Sequence, residues 1–168
     1  MEEKVSQMAK DVYKREGKRP DWDEYFMSVA HAVRQRADCT RRQVGSILVK
    51  DKRIISTGYN GTPAGIKNCS EGGCERCNGS EEQFPRGMHL DKCVCSHAEE
   101  NVIVQAARHG VSAAEATLYT TNSPCTTCSK MIINAGIKRI IMEGEYPDEL
   151  GAKLLGDANI EVIKIRGE

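Results

Sequence analysis

The sequence has no excess of charge of either sign, few aromatic residues and no long apolar run. Its 168 residues include 24 Lys and Arg against 24 Asp and Glu, and 5% are Phe, Trp or Tyr. Balanced charge argues against a protein held on nucleic acid by a basic surface, so we expect no nucleic-acid partner. No run of 18 apolar residues is present, so we expect no membrane-spanning helix. The charged N-terminal stretch does not look like a signal peptide, which favours a cytoplasmic protein.

Cysteine, by contrast, is abundant, with eight residues. Disulfides are rare in reducing compartments, so clustered cysteines in a chain without signs of secretion indicate metal binding or catalysis. A disulfide framework is the alternative, because eight is an even number. The chain is long enough to bury a stabilising core without cross-links, and we predict a single domain over 1–168.

Apolar periodicity and turn signals predict alternating helices and strands. An N-terminal arm covers 1–19, and Asp21 begins a helix with an apolar face that extends to Ala37. A hairpin follows over 44–57. Beyond 95 the predicted elements alternate between helix and strand, over 97–109, 117–121, 124–135, 139–142, 147–155 and 160–163. This order predicts an α/β fold of three layers, in which a mixed five-stranded sheet carries helices on both faces.

The segment between the hairpin and the second long helix is different in composition. We interpret 61–95 as a Cys-rich zinc-binding insertion, because it holds five of the eight cysteines and two prolines but few apolar residues. A loop of this length inside a compact domain needs a source of order other than a hydrophobic core.

Two short segments carry the residues from which chemistry can be inferred. Cys125 and Cys128 are three residues apart, so both thiols lie on one face of a first helical turn, where the thiolate is favoured. With His97 they would give a zinc ion three ligands and leave its fourth position open, as in catalytic sites. Glu99 would lie beside the metal without binding it. The segments are Cys95-Ser96-His97-Ala98-Glu99 and Ser123-Pro124-Cys125-Thr126-Thr127-Cys128.

The combination matches the H-x-E…P-C-x-x-C signature of zinc-dependent nucleobase deaminases, in which the Glu acts as general acid and base. Zinc would lower the pKa of a water molecule towards neutrality, and Glu99 would carry protons from that water to the substrate. Each piece has a simpler alternative. Glu99 could cap a helix that starts at Ser96, the cysteine pair could be redox-active or half of a structural zinc site, and His97 could be a cap or surface group.

These motifs resemble the deoxycytidylate (dCMP) deaminase family within the cytidine deaminase-like fold, over about residues 19–163. The Gly-Tyr-Asn-Gly loop separates this family from the general zinc-deaminase signature. Besides the two segments above, the resemblance rests on Trp22-Asp23-Glu24-Tyr25-Phe26, Arg41-Arg42-Gln43-Val44-Gly45, Thr57-Gly58-Tyr59-Asn60-Gly61-Thr62-Pro63, Glu100-Asn101, Leu118-Tyr119 and Asn134-Ala135-Gly136-Ile137.

The resemblance implies deamination of dCMP to dUMP, the precursor for thymidylate synthesis. It also implies a homo-oligomer, commonly a hexamer, that is activated by dCTP and inhibited by dTTP with Mg²⁺. Asn60, Ser123 and Tyr146 match positions near the substrate. The loop of Gly58, Tyr59, Asn60 and Gly61 is associated with effector binding, although the same residues are typical of an ordinary turn.

Six cysteines remain outside the predicted catalytic site. A structural zinc site needs four ligands and would order the insertion that lacks a core. Spacing alone favours a set in which Cys69 and Cys93 join the Cys74–Cys77 pair. The six candidates, of which four would bind the metal, are Cys39, Cys69, Cys74, Cys77, Cys93 and Cys95.

Other ligand sets stay open at this point. Resemblance to family members with a second zinc points to Cys39 and Cys69 together with Cys95. Two zinc ions in the insertion become an alternative if His89 or Asp91 supplies further ligands. Scattered free thiols are the remaining alternative.

Two other functions compete with dCMP deamination. One is another zinc deaminase, acting on tRNA adenosine, guanine or a riboflavin precursor, and the neutral charge weakens the tRNA alternative. The other is a non-catalytic zinc module, which would have no need for Glu99. Arg41, Arg42 and Lys130 are candidate phosphate donors, or else part of a solvated basic surface.

Overall fold

The computed structural model describes residues 19–85, 87–144 and 148–165. Apart from Arg19, the predicted N-terminal arm lies outside these residues. The helices are α1 (Trp22–Arg34), α2 (Glu75–Asn78), α3 (Ala98–Arg108), α4 (Thr126–Asn134) and α5 (Glu149–Asp157). The strands are β1 (Gly45–Lys50), β2 (Arg53–Tyr59), β3 (Thr117–Thr120), β4 (Arg139–Met142) and β5 (Glu161–Lys164). Within the described ranges, no helix combines the length and apolarity needed to cross a membrane.

The predicted mixed five-stranded sheet is confirmed. Its strand order is β2-β1-β3-β4-β5. The β1 strand pairs antiparallel with both β2 and β3, whereas β3, β4 and β5 are parallel. The parallel half requires crossover connections, and α4 and α5 provide them.

Helices cover both faces of this sheet, as the sequence predicts. Side chains alternate along β1, so that Leu48 belongs to one core cluster while Ile47 and Val49 belong to the other. The cluster around Leu48 contains residues of α3, α4 and α5, and the cluster around Ile47 contains residues of α1. The residues of the predicted catalytic motif, at the starts of α3 and α4, therefore lie on the three-helix face.

The first helix begins as predicted but ends earlier. Asp21 accepts a hydrogen bond from the Glu24 amide, and the Glu24 carboxylate accepts one from the Asp21 amide, both at 2.9 Å. This capping box satisfies amides that have no partner inside the helix. The helix stops at Arg34 rather than Ala37, because the chain turns there and the Asp38 amide instead bonds to the Asn60 carbonyl at 3.0 Å.

The α3 helix lies unusually close to β2 at Gly58. A Cβ atom at this position would stand 2.4 Å from the Val102 nitrogen and 2.5 Å from the Ala98 carbonyl oxygen, both backbone atoms of α3. Only glycine permits this approach, since backbone atoms cannot yield as a flexible side chain can. Gly58 thus fixes the distance between β2 and the helix that begins at His97.

We expect Gly58→Ala to lower the free energy of unfolding by about 2–3 kcal/mol, because the added methyl group forces α3 away from β2. Urea unfolding followed by circular dichroism measures this change. Gly156→Ala is the matched control, since its Cβ would meet nothing within 4 Å, and it should be neutral or stabilising by up to about 1 kcal/mol. Equal stability of Gly58→Ala and the parent chain would contradict this account of the packing.

The predicted insertion is not structureless. It contains α2 and two 3₁₀ turns, Cys69–Glu71 and Leu90–Lys92. Its core consists of cysteine side chains that cluster with one another, namely Cys39, Cys69, Cys74, Cys77 and Cys95, with Cys93 at the margin. The domain boundary 61–95 of this insertion stays a prediction.

Candidate metal centres and active site

The three residues predicted to bind the catalytic metal come together in the fold. The Nδ1 atom of His97 lies 3.4 Å from the Sγ atoms of both Cys125 and Cys128. All three potential ligand atoms lie within 4.8 Å of one another. A tetrahedral zinc ion with ordinary Zn–N and Zn–S bonds places such atoms about 3.6 Å apart. The donor set and its spacing therefore fit a zinc ion with one further position.

Local backbone structure sets these positions. His97 is the N-cap of α3, and Cys125 is the N-cap of α4 with Cys128 in its first turn. Gly61 and Ser96 form an antiparallel β-bridge just before His97. The Ser96 amide donates to the Gly61 carbonyl at 2.9 Å, and the Gly61 amide donates to the Ser96 carbonyl at 3.3 Å. Both helix N-termini thus point their positive dipole ends at the same place, which favours thiolate ligands.

Glu99 is buried beside this group, with 4% of its surface exposed. One carboxylate oxygen accepts a hydrogen bond from the Thr120 hydroxyl at 3.1 Å, and the other lies 3.9 Å from the Cys128 Sγ. Burial raises the pKa of this carboxyl above its ordinary value. A raised pKa makes a buried carboxylate a better proton acceptor than an ordinary one, as a group that accepts and returns protons requires.

The alternative in which Glu99 caps the helix is wrong. The helix begins one residue later than that alternative requires, and the Glu100 carboxylate accepts the hydrogen bond from the His97 amide at 2.6 Å. Glu100 therefore caps the helix, and the Glu99 side chain is directed into the protein.

The three predicted ligands differ in their pKa values and therefore in whether they carry a proton. A hydrogen bond from Cys128, together with the contact to His97, lowers the pKa of Cys125 to about 4. The same contact with Cys125 raises the pKa of His97 to about 9. The hydrogen bond to Cys125 and burial both raise the pKa of Cys128. Cys125 is accordingly a thiolate at neutral pH, paired with a protonated imidazole.

Asp148 supports this site and was not among the sequence predictions. Its carboxylate accepts hydrogen bonds from the Thr126 amide at 2.6 Å, the Thr126 hydroxyl at 2.5 Å and the Gly151 amide at 2.8 Å. It thereby joins the first turn of α4 to the start of α5. A cap at the start of the last helix could be expected from the sequence, but the bond to Thr126, 22 residues away, could not.

The predicted substrate residues have different surroundings. Asn60 is buried, and its amide braces the backbone, accepting from the Val44 amide and donating to the Arg42 carbonyl at 2.7 Å each. Ser123 is half-buried two residues before Cys125. Tyr146 lies outside the described residues. Their substrate contacts stay predictions.

The loop predicted to bind effectors borders a large cleft. Gly58, Tyr59 and Gly61 contribute to the lining of a space of about 950 Å³, which is bounded by β2, residues 35–38 after α1, the loop 61–66 and part of α3. The Tyr59 carbonyl accepts a hydrogen bond from the Asn101 side chain at 2.7 Å. The cleft is large enough for a nucleotide-sized ligand, although Gly58 itself is explained by packing.

Arg41, a candidate to donate hydrogen bonds to a phosphate, donates instead to backbone carbonyls of the insertion. Its guanidinium donates to the Phe84 carbonyl at 2.7 Å, the Gly79 carbonyl at 3.1 Å and the Cys77 carbonyl at 3.4 Å. It ties the insertion to the body of the domain, so the interpretation as a phosphate donor is replaced by a structural one. The sequence gives no sign of this role, because backbone acceptors leave no compositional signal.

The remaining six cysteines form two overlapping groups of four. One group contains Cys39, Cys69, Cys77 and Cys95, and the other contains Cys74, Cys77, Cys93 and Cys95. In each, the Sγ atoms lie within 4.8 Å of one another. The first includes the residues indicated by resemblance, while the second differs from the spacing-based set in having Cys95 in place of Cys69. All eight cysteines are free thiols, so the disulfide alternative finds no support.

Comparison with known proteins places the chain in a family. Residues 20–143 match the model described as the cytidine and deoxycytidylate deaminase zinc-binding region. This chain belongs to that deaminase family. The resemblance inferred from the motifs is thus confirmed, and with it the cytidine deaminase-like fold.

Relatives within the family carry more specific names. A deoxycytidylate deaminase of Schizosaccharomyces pombe is 45% identical over 86% of this chain, which spans only 44% of that relative's length. A deoxycytidylate deaminase of Mycobacterium phage D29 is 43% identical over 78% of this chain and 98% of its own. The dCMP deaminase of cyanophage S-TIM5, solved with dCMP and dUMP, is 33% identical and superposes with a TM-score of 0.71, covering 89% of this chain and all of that one.

Proposed function

We propose that this chain deaminates dCMP to dUMP and ammonia, and so supplies dUMP for thymidylate synthesis. The observation that carries the proposal is the buried Glu99 carboxyl beside the group of His97, Cys125 and Cys128. The substrate is supported by the names of the yeast and phage relatives and by the nucleotides bound in the S-TIM5 structure.

Metal binding and proton transfer are carried out by different residues of the site. His97, Cys125 and Cys128 would hold a zinc ion, which when bound supplies a water of lowered pKa as the nucleophile. Glu99 takes a proton from the attacking water and delivers it to the pyrimidine ring nitrogen, so that the neighbouring carbon accepts the oxygen. It then passes the second proton to the amino group, and the C–N bond breaks to release ammonia. The balance is one dCMP and one water in, one dUMP and one ammonia out.

Thr120 orients this acid. Its hydroxyl donates to one Glu99 oxygen, which fixes the carboxyl plane and leaves the other oxygen free to exchange protons on the side of the cysteines. Thr120 is itself fully buried and bonds to the Ser46 hydroxyl at 2.9 Å. This chain of hydrogen bonds holds the catalytic group in one orientation without a charged partner.

The competing functions are less well supported. A non-catalytic zinc module has no reason to bury an otherwise costly carboxyl beside its metal ligands. A tRNA adenosine deaminase also superposes on the chain, but at 22% identity and a TM-score of 0.54 it shares the fold alone.

A substrate panel tests the proposal. Zinc-loaded protein should release ammonia from dCMP at least about 100-fold faster, in kcat/KM, than from cytidine, guanine or tRNA. Ammonia is measured with a coupled enzyme assay and the nucleotide product by chromatography. Faster deamination of any other member of the panel would replace dCMP as the substrate.

We also propose, from the family resemblance, that the protein is a homo-oligomer, a hexamer, activated by dCTP and inhibited by dTTP with Mg²⁺. The cleft beside Gly58, Tyr59 and Gly61 gives the effectors a candidate place. Repeating the dCMP assay with each effector should turn a sigmoidal curve hyperbolic with dCTP and depress it with dTTP. Indifference to both would remove the allosteric part and leave the proposed activity intact, and light scattering reads the oligomeric state independently.

A further inference from the structure

A single structural zinc ion would bind only four of the six cysteines that cluster at the insertion. The two groups of four thiols share Cys77 and Cys95, and together they include all six cysteines outside the catalytic motif. Two separate tetrahedral thiolate sites would need eight sulfur ligands. Six suffice only when two of them each bind both metals, and the structure has two thiols that belong to both groups.

We propose that these cysteines hold a dinuclear zinc–thiolate cluster, with Cys77 and Cys95 as bridging ligands. Cys39 and Cys69 complete one metal's coordination, and Cys74 and Cys93 complete that of the other. Neither His89 nor Asp91 is needed. The inference is independent of the reaction that the chain catalyses.

Sulfur spacing supports the shared position of Cys77. Its Sγ lies 3.7 Å from the Sγ of Cys39 on one side and 3.7 Å from the Sγ of Cys93 on the other. Two sulfurs bound to one tetrahedral zinc at about 2.3 Å are about 3.8 Å apart. Cys77 therefore stands at a ligand-to-ligand distance from a member of each group.

Hydrogen bonds to the outer sulfurs point the same way. The Val94 amide donates to the Cys74 Sγ at 3.4 Å. In the other group, the Asn78 side-chain amide donates to the Cys69 Sγ at 3.9 Å. Such bonds stabilise thiolates, the form that binds metal. With a single zinc, one of these pairs would be left as sulfurs without a metal although amides are directed at them.

The insertion needs the two metal ions because the cysteine side chains at its centre are buried. Cys69 and Cys74 are fully buried, and Cys77 and Cys95 nearly so, yet among the described residues no aliphatic side chain belongs to the cluster. Two zinc ions would offset most of the charge of six thiolates, and the remaining negative charge is met by the amide donors. Because Cys95 is two residues before His97, the cluster also anchors the start of α3.

Cadmium NMR on the full chain tests this arrangement directly. The wild-type protein reconstituted with ¹¹³Cd²⁺ should give a pair of thiolate-bound ¹¹³Cd signals that are scalar-coupled to each other, and both should correlate with the β-protons of Cys77 and Cys95. A single signal from the six-cysteine cluster, or two signals with no cysteine in common, would overturn the proposal.

Zinc content gives a second reading that does not depend on cadmium. Native mass spectrometry should find three zinc ions in the wild-type chain and two in Cys128→Ser, which removes a ligand of the other site only and leaves the coupled cadmium pair unchanged. Two ions in the wild type and one in Cys128→Ser would indicate a single structural zinc and contradict the dinuclear cluster.

Discussion

Replacing Glu99 by glutamine is expected to lower dCMP turnover by about 10³- to 10⁴-fold while the zinc content and the fold stay unchanged. Glutamine has the shape of the acid, and its amide oxygen can still accept the Thr120 hydrogen bond. It cannot accept the proton of the attacking water or return one to the leaving amino group. Steady-state kinetics measure the loss, and circular dichroism and metal analysis establish that nothing else has changed.

Glu100→Gln is the matched control for this variant. The same substitution one residue along the helix keeps an oxygen that can accept the His97 amide hydrogen bond. Turnover should stay within a few fold of the parent chain, with a small loss of stability from the weaker cap. If Glu99→Gln retained nearly normal turnover, or if the two variants lost activity equally, the role of Glu99 would be wrong.

Cys128→Ser should abolish zinc binding at the catalytic group and lower turnover by about 10³-fold or more. Cys128 is fully buried in the first turn of α4, where no other thiol of the insertion can replace it. Serine is close in size, so we expect the helix to keep its place. Metal analysis and dCMP kinetics on the same preparation measure both losses.

Ser129→Ala, the neighbouring change, should leave activity unaltered. Among the described residues, the Ser129 hydroxyl is buried without a hydrogen-bond partner, so its removal costs nothing and relieves an unsatisfied polar group. A Cys128→Ser protein that bound zinc and turned over dCMP like Ser129→Ala would contradict the ligand assignment.

Acid should weaken zinc binding at this group steeply. A zinc ion must displace the protons of His97, whose pKa is raised to about 9 by its bond with Cys125, and of Cys128, whose pKa is also raised. Cys125, with a pKa of about 4, contributes no proton near neutrality. Binding therefore releases two protons, and each unit of pH lost below neutrality should weaken the affinity by about 100-fold.

The parts of the fold that depend on neighbouring residues could be predicted from the sequence. Asp21 with Glu24 indicates a helix start, and the His97 and Cys125 motifs mark two more, because caps and periodicity are local properties. These elements lie where expected, within a few residues. A mixed five-stranded sheet followed from their alternation and from the family resemblance, whereas the strand order came from the structure.

Long-range hydrogen bonds could not be predicted in the same way. Arg41 satisfies carbonyls of the insertion, and Asp148 holds Thr126, because the fold brings together segments with no pattern in common. The capping role of Glu100 rather than Glu99 depends on a shift of one residue in where α3 begins, which is within the ordinary uncertainty of a helix boundary.

The cysteines show most clearly which parts of the site could not be predicted from the sequence. Their number and the C-x-x-C spacing indicated metal binding, but the choice among six thiols required the folded insertion. Spacing along the chain favoured Cys69 and Cys93 with the Cys74–Cys77 pair, whereas in space Cys77 and Cys95 are the thiols shared between both groups. Sequence proximity is a poor guide in a segment with little periodic structure, where cysteines that are distant along the chain cluster together.

Ammonia release from dCMP by the zinc-loaded wild-type chain is the decisive measurement of the proposed activity. We expect one ammonia for each dUMP formed, with turnover lost when the catalytic zinc is chelated and regained when zinc is returned. A protein that carries zinc at His97, Cys125 and Cys128 but forms no dUMP from dCMP would contradict it.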